Sequence, residues 1–307
     1  MHLTAWARMT DYRARWGLIV ACFLLCVTGF RVAGVTVRWE AFCLALKFMT
    51  LLLLFACLYG IIGVRLPRLA RPMSIASDLL FSVAQVQAAL AALVPLTYLA
   101  ALSGAPLLDA ELARLDQQWF GFEWYSAAQW VTDHPALDMI LRAAYYSTLA
   151  QAVVVLLIGS ITRTTERNGD IMWPFCIGIL LTAAVFVFTP ALGHPGHIGM
   201  EHIDRLVMIR AGKWTEFDYG QIVGIINFPS FHTTLAILFI YAVRRHRWAL
   251  AASVPLNLLM IAATPSVGGH YLMDLPPGAA VAAAAIATSR IPRLIRAAPS
   301  HRVAPAR

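Results

Sequence analysis

Charge is scarce in this sequence. Of its 307 residues only 13% are Asp, Glu, Lys or Arg, while 60% are hydrophobic and the mean hydropathy is +0.69. Soluble domains carry about 25% charged residues, so an ordinary water-soluble globule is excluded. A disordered chain, which needs low hydrophobicity, and a collagen-like chain, which needs a glycine period, are excluded as well. Cysteine is equally sparse. Cys22, Cys26, Cys43, Cys57 and Cys176 form an odd set of five, all inside apolar runs, which argues against a disulfide scaffold and gives no zinc-ligand spacing. No repeat of solenoid period is present, and low complexity is confined to the alanine-rich run near 274–289 and a short basic tail.

What the chain has is long apolar runs. A helix needs roughly 20 residues to cross a hydrocarbon core about 30 Å thick. Eight runs reach or approach that length, near 16–36, 41–64, 76–104, 136–161, 171–191, 230–246, 248–266 and 274–289. The last three are the weakest, the sixth because it ends in Arg244-Arg245-His246-Arg247 and the eighth because it opens with Pro276-Pro277. The expected fold is therefore all-α, a polytopic transmembrane helical bundle of six to eight spans. The first run starts late and lacks a small-residue cleavage site, so it reads as a retained helix. Residues 1–75 read as N-terminal membrane helices, 76–290 as a catalytic membrane domain and 291–307 as a basic cytoplasmic tail.

The formal net charge of +8 raises the question of nucleic acid, and the distribution of the cations answers it. With eight spans, alternate loops share a side. Sixteen of the 24 Lys and Arg then fall on the side of the termini, six fall opposite, and Lys47 and Arg142 lie within spans. This is the positive-inside pattern. It puts both termini in the cytoplasm and the chain in the cytoplasmic (inner) membrane, and it leaves no call for a nucleic-acid partner. Two connections on the opposite side are long. Residues 105–135 alternate Leu107, Leu108, Leu112 and Leu115 with Asp109, Glu111 and Asp116, then add Trp124, Tyr125 and Trp130. They read as amphipathic helices in the membrane interface, where Trp and Tyr prefer to sit. Residues 192–229 concentrate His194, His197, His202, Arg205, Arg210 and Lys213. The three histidines do not form a helical spacing, and no carboxylate or Cys set completes a metal geometry around them, so they read as loop histidines.

Two short segments stand out from the apolar background, both on the outer side by this count. Phe228-Pro229-Ser230-Phe231-His232 opens the sixth run, and Gly268-Gly269-His270-Tyr271-Leu272-Met273-Asp274 precedes the eighth. A His and an Asp four apart come within hydrogen-bond reach over one helical turn. The carboxylate then holds one imidazole nitrogen as a donor and leaves the other free as a nucleophile. Gly269 permits close backbone approach. Ser230 is a good helix cap, Pro229 suits a helix start, and the free N–H groups of that first turn form an anion seat beside His232, which can protonate a leaving oxygen. A single histidine in a membrane helix is more often a packing hydrogen-bonder. Two such segments on one side are better read as a functional site, because ionisable groups at membrane depth are costly.

These segments resemble the second and third motifs of the type 2 phosphatidic acid phosphatase superfamily. His270-Tyr271 before Asp274, Arg210-Ala211-Gly212, the 109–116 stretch and Phe120-Gly121-Phe122 are most similar to the branch containing fungal inositol phosphorylceramide synthases. The resemblance covers roughly residues 105–290. It implies a phosphohistidine mechanism with no metal or other cofactor. His270 would attack phosphorus, Asp274 would orient it, and His232 would protonate the leaving alkoxide. Arg210, Ser230 and Gly269 would bind the phosphate, with Arg205 and Lys213 as weaker candidates. The substrate would be a phospholipid or lipid phosphate, with water or a lipid hydroxyl as acceptor. Arg71-Pro72 imitates the superfamily's first motif, but Val64 fills its Lys position and the segment lies on the side away from both histidines, so it reads as a positive-inside loop. A transporter or channel using the histidines as a proton relay is the competing reading. It would use Lys47 and Asp78 and would predict broken helices and symmetric halves, of which the halves are lacking.

Overall fold

A computed structural model describes residues 2–162, 168–196 and 199–297, with side chains described from residue 13 to residue 290 of these. Arg163, Arg167 and His197, and the end of the basic tail with Arg302 and Arg307, lie outside the described residues. The chain is an all-α polytopic bundle, as its apolar runs dictate. Helix α1 covers His2–Val32, α2 Glu40–Arg65 and α3 Ala70–Ala101. Two short helices follow, α4 at Asp109–Phe120 and α5 at Trp124–Thr132. Next come α6 at Pro135–Tyr146, α7 at Thr148–Thr162, α8 at Gly169–Phe188 and the polar helix α9 at Glu201–Arg210. The chain ends with α10 at Phe231–Val243, α11 at Arg247–Gly268 and α12 at Leu275–Ala297.

Among the described residues six helices are long and apolar enough to cross a membrane, or seven with α6 and α7 taken as one span bent by 49°. Two of the eight expected runs therefore differ from a simple crossing. The 136–161 run bends at Ser147, where the hydroxyls of Ser147 and Thr148 donate to the carbonyls of Ala144 and Tyr145, a local bonding that competes with regular helix. The 230–246 run forms only the 13 residues of α10, about 20 Å of helix. Helix α10 packs between α7, α8, α11 and α12, so its length matters less than its enclosure. Helix α2 buries only 6% of its span window against the protein, leaving its apolar surface for lipid, whereas α8 buries 56%.

The end of the bundle that carries the long connections has its own core. Phe30, Tyr98, Trp214 and Phe217 pack together, with Phe30 and Phe217 stacked at 4.8 Å and Tyr98 edge-on to Phe217 at 5.1 Å. The Tyr98 hydroxyl donates to the Val223 carbonyl and accepts from its N–H, at 2.9 and 3.0 Å. Two three-residue strands, β1 at Thr36–Arg38 and β2 at Glu216–Asp218, pair in parallel with Thr36 opposite Glu216. The 192–229 connection is thus fastened to α1, α3 and the α1–α2 turn.

Candidate active site

Helix α11 ends in a way that fixes His270. Pro265 lacks an N–H, so the Ile261 carbonyl four residues back would go unpaired. The Thr264 hydroxyl takes that place at 2.7 Å. Gly269 then adopts φ +69° and donates to the Pro265 carbonyl, while His270 N–H donates to Thr264 at 3.2 Å, a glycine-closed helix end. The chain turns through a 3₁₀ segment, Leu272–Asp274. Asp274 Oδ2 accepts from Tyr271 N–H at 2.9 Å and from His270 Nδ1 at 3.1 Å. With Nδ1 committed to the carboxylate, Nε2 of His270 is the nitrogen that remains free. Burial pushes the His270 imidazole down to about 4, which keeps the ring neutral, with the Asn227 carbonyl pulling the other way.

His232 faces this pair from the first turn of α10. Its ring and that of His270 are 6.4 Å apart. The ring stacks on Tyr145 at 4.1 Å, and the Tyr145 hydroxyl lies 3.2 Å from its Nδ1. Tyr145 ends α6 at the bend, so the kinked span is what presents it. Nothing in the local sequence marks Tyr145, because its partner is 87 residues away.

The turn that carries His270 is held from outside the spans. On α4, Asp109 and Asp116 lie two helical turns apart and share a face. Asp116 accepts from Leu272 and Met273 N–H at 2.7 and 2.8 Å. Asp109 accepts from Leu192 and Gly193 N–H and from the Tyr271 hydroxyl. His194 N–H donates to the Gly269 carbonyl at 2.7 Å, and its ring stacks on Trp124, whose indole N–H donates to Pro265. Burial lowers His194 below its ordinary value.

The structure brings together His232, His270 and Asp274, and it gives the three expected phosphate binders other duties. Arg210 donates through both terminal nitrogens to the carbonyls of Ser103 and Ala105, closing the α3–α4 connection away from the histidines. Ser230 is fully buried, caps α10 by accepting from Thr233 N–H at 3.3 Å, and ties to Asp274 through its own N–H at 3.1 Å. At Gly269 the close neighbour is the carbonyl of His194, which a Cβ would strike. Lys213 is exposed, and Arg205 is half-buried. Arg71 lines a separate cavity with Val64 and Thr162.

Two cavities meet at the histidines. A smaller one of about 150 Å³ is lined by His202, His232 and His270. A larger one of about 530 Å³ shares Tyr145, His202 and His232 with it and is otherwise walled mainly by apolar side chains of α3, α7, α8 and α10, with Leu149 at its rim 75% exposed. This size falls in the range of ligand sites.

The site is thus a buried histidine pair, one ring bonded to a carboxylate, beside an apolar cavity in a bundle of membrane-length helices. A family model of the PAP2 superfamily matches residues 110–288, and the chain belongs to that superfamily. No curated protein and no solved structure gives a match. Membership supports an enzyme of the lipid phosphatase or phosphotransferase kind acting on a lipid phosphate.

Proposed function

We propose that this protein cleaves or transfers a phosphate-linked lipid head group through a phosphohistidine on His270, in the manner of inositol phosphorylceramide synthases. The observation that carries the reading is the Nδ1 contact of His270 with Asp274 Oδ2 at 3.1 Å, with His232 across the same cavity. In this mechanism His270 Nε2 attacks phosphorus as the bond to the leaving oxygen breaks. Asp274 stabilises the imidazolium that forms, and His232 gives its Nε2 proton to the departing alkoxide. Tyr145, by donating to Nδ1 of His232, keeps that proton on Nε2. In the second half His232 removes the proton of water or a lipid hydroxyl. That oxygen attacks the phosphoryl group and returns His270 to its free state. The apolar cavity with its exposed rim is suited to a lipid tail arriving sideways from the bilayer.

The test is a panel of lipid phosphates and phospholipids in detergent, with and without ceramide or diacylglycerol, following phosphate release and new lipid. His270→Ala is expected to abolish activity and His232→Ala to lower it by about 10²–10⁴-fold, while orthovanadate inhibits the wild type. Activity that survives both substitutions would overturn the mechanism. On the eight-span count, the distribution of Arg and Lys supports a site at the outer face of the cytoplasmic membrane with both termini inside. Cysteines placed in the 192–229 connection are expected to react with an impermeant maleimide in intact cells, and labelling only after lysis would reverse the orientation.

A further inference from the structure

Three residues expected to bind the phosphate have other partners in the structure, so its oxygens call for donors beyond them. A phosphoryl group between His232 and His270 presents oxygens that need donors, and two buried side chains of the smaller cavity, Thr182 and His202, leave polar atoms unpaired; of these two the histidine alone lines both cavities. His202, the second residue of α9, is only 5% exposed, lines both cavities beside His232, and lines the smaller one with His270 as well. Neither of its ring nitrogens completes a hydrogen bond, although the carbonyls of His194 and Gly199 lie near enough to favour its charged form. An unpaired buried polar group is uncommon and costly, so it calls for an explanation. Among the described residues no three His, Cys, Asp or Glu side chains converge as a metal site, so a shared ion does not provide one.

We infer that His202 is a substrate-binding residue whose ring N–H donates to a non-bridging oxygen of the phosphoryl group held between His232 and His270. This rests on the function proposed above and adds the group that grips the anion. A bound anion also stabilises the protonated ring, offsetting the burial and the neighbouring His270 that disfavour its charge in the free protein. Glu201, exposed at the larger cavity, carries a carboxylate, which accepts and does not donate.

The experiment compares wild type with His202→Ala, His202→Gln and His202→Phe in detergent, reading KM and kcat on the best lipid phosphate, inhibition by orthovanadate, and binding of radiolabelled inorganic phosphate by equilibrium dialysis. Loss of a hydrogen bond to a charged group predicts that Ala and Phe raise KM and the vanadate inhibition constant by about tenfold or more, with a smaller change in kcat. Gln, which keeps an N–H donor, is expected to recover most of the loss. A Phe variant that matches wild type, or a Gln variant no better than Phe, would show that the position serves packing and would overturn the inference. If Ala does not fold, the Gln and Phe pair decides. If the wild type turns over no lipid phosphate, the functional reading fails separately. Phosphate binding then decides the inference: loss in Phe and retention in Gln supports it, and no binding or equal binding in all forms overturns it.

Discussion

The stacked Tyr145 ring and its hydroxyl do different work for His232, and a single substitution separates them. Tyr145→Phe keeps the aromatic face and removes the 3.2 Å contact to Nδ1, so the proton is no longer confined to the nitrogen that needs it. We expect kcat to fall by about tenfold with KM nearly unchanged, the equivalent of one ordinary hydrogen bond, measured by steady-state kinetics on folded protein. An unchanged kcat would remove Tyr145 from the machinery. At this scale the sequence reveals what is chemically local. His270 and Asp274 declare themselves because the nucleophile and orienting carboxylate of the proposed mechanism need those residue types close together in the chain. Tyr145 and His202 do not, since the histidines they share a cavity with are distant in the chain. Arg210 shows the converse: its type suits a phosphate, and only the fold reveals that the carbonyls of Ser103 and Ala105 have taken both ends of its fork.

Among the elements, α4 has the largest influence on the site for its size. Its amphipathic pattern reads as a surface helix, and the sequence does not reveal that its acidic face is the seat of the 3₁₀ turn ahead of α12. Asp116→Ala leaves the N–H groups of Leu272 and Met273 without their acceptor, a cost of about 1–3 kcal/mol. A lower thermal midpoint in detergent and a loss of turnover are expected together, because the same turn carries Asp274. Asp116→Asn, which retains one acceptor oxygen, should fall between the two. Equal midpoints for wild type and Asp116→Ala would show that α4 is a passenger. Span lengths are legible where lipid sets them, as in α2. They are less legible where helices are enclosed by other helices, as in the 13-residue α10, or where hydroxyls near Ser147 divide a continuous apolar run.

For the molecule as a whole, the buried histidines set a limit on acid tolerance. His194, His202 and His270 are each pushed below the ordinary value of 6.5 by burial, His270 to about 4. The unfolded chain takes up protons as pH falls through about 6.5, and the folded chain does so only at lower pH. Stability is therefore unaffected above that value and declines between about pH 6.5 and 4. Asp116, raised by burial against the pull of two backbone N–H groups, opposes this. A thermal midpoint that is level from pH 8 to 7 and falls by several degrees by pH 5 is expected, and a level profile down to pH 5 would contradict the burial of neutral rings. One further consequence follows from the placement of α3. The region shared with the superfamily spans 110–288, yet Val86 and Leu90 of α3 line the larger cavity. On the function proposed, the histidines and part of the apolar wall therefore lie on separate stretches of the chain, and changes at Val86 or Leu90 are expected to alter which lipid tails are accepted while the histidines stay unaltered.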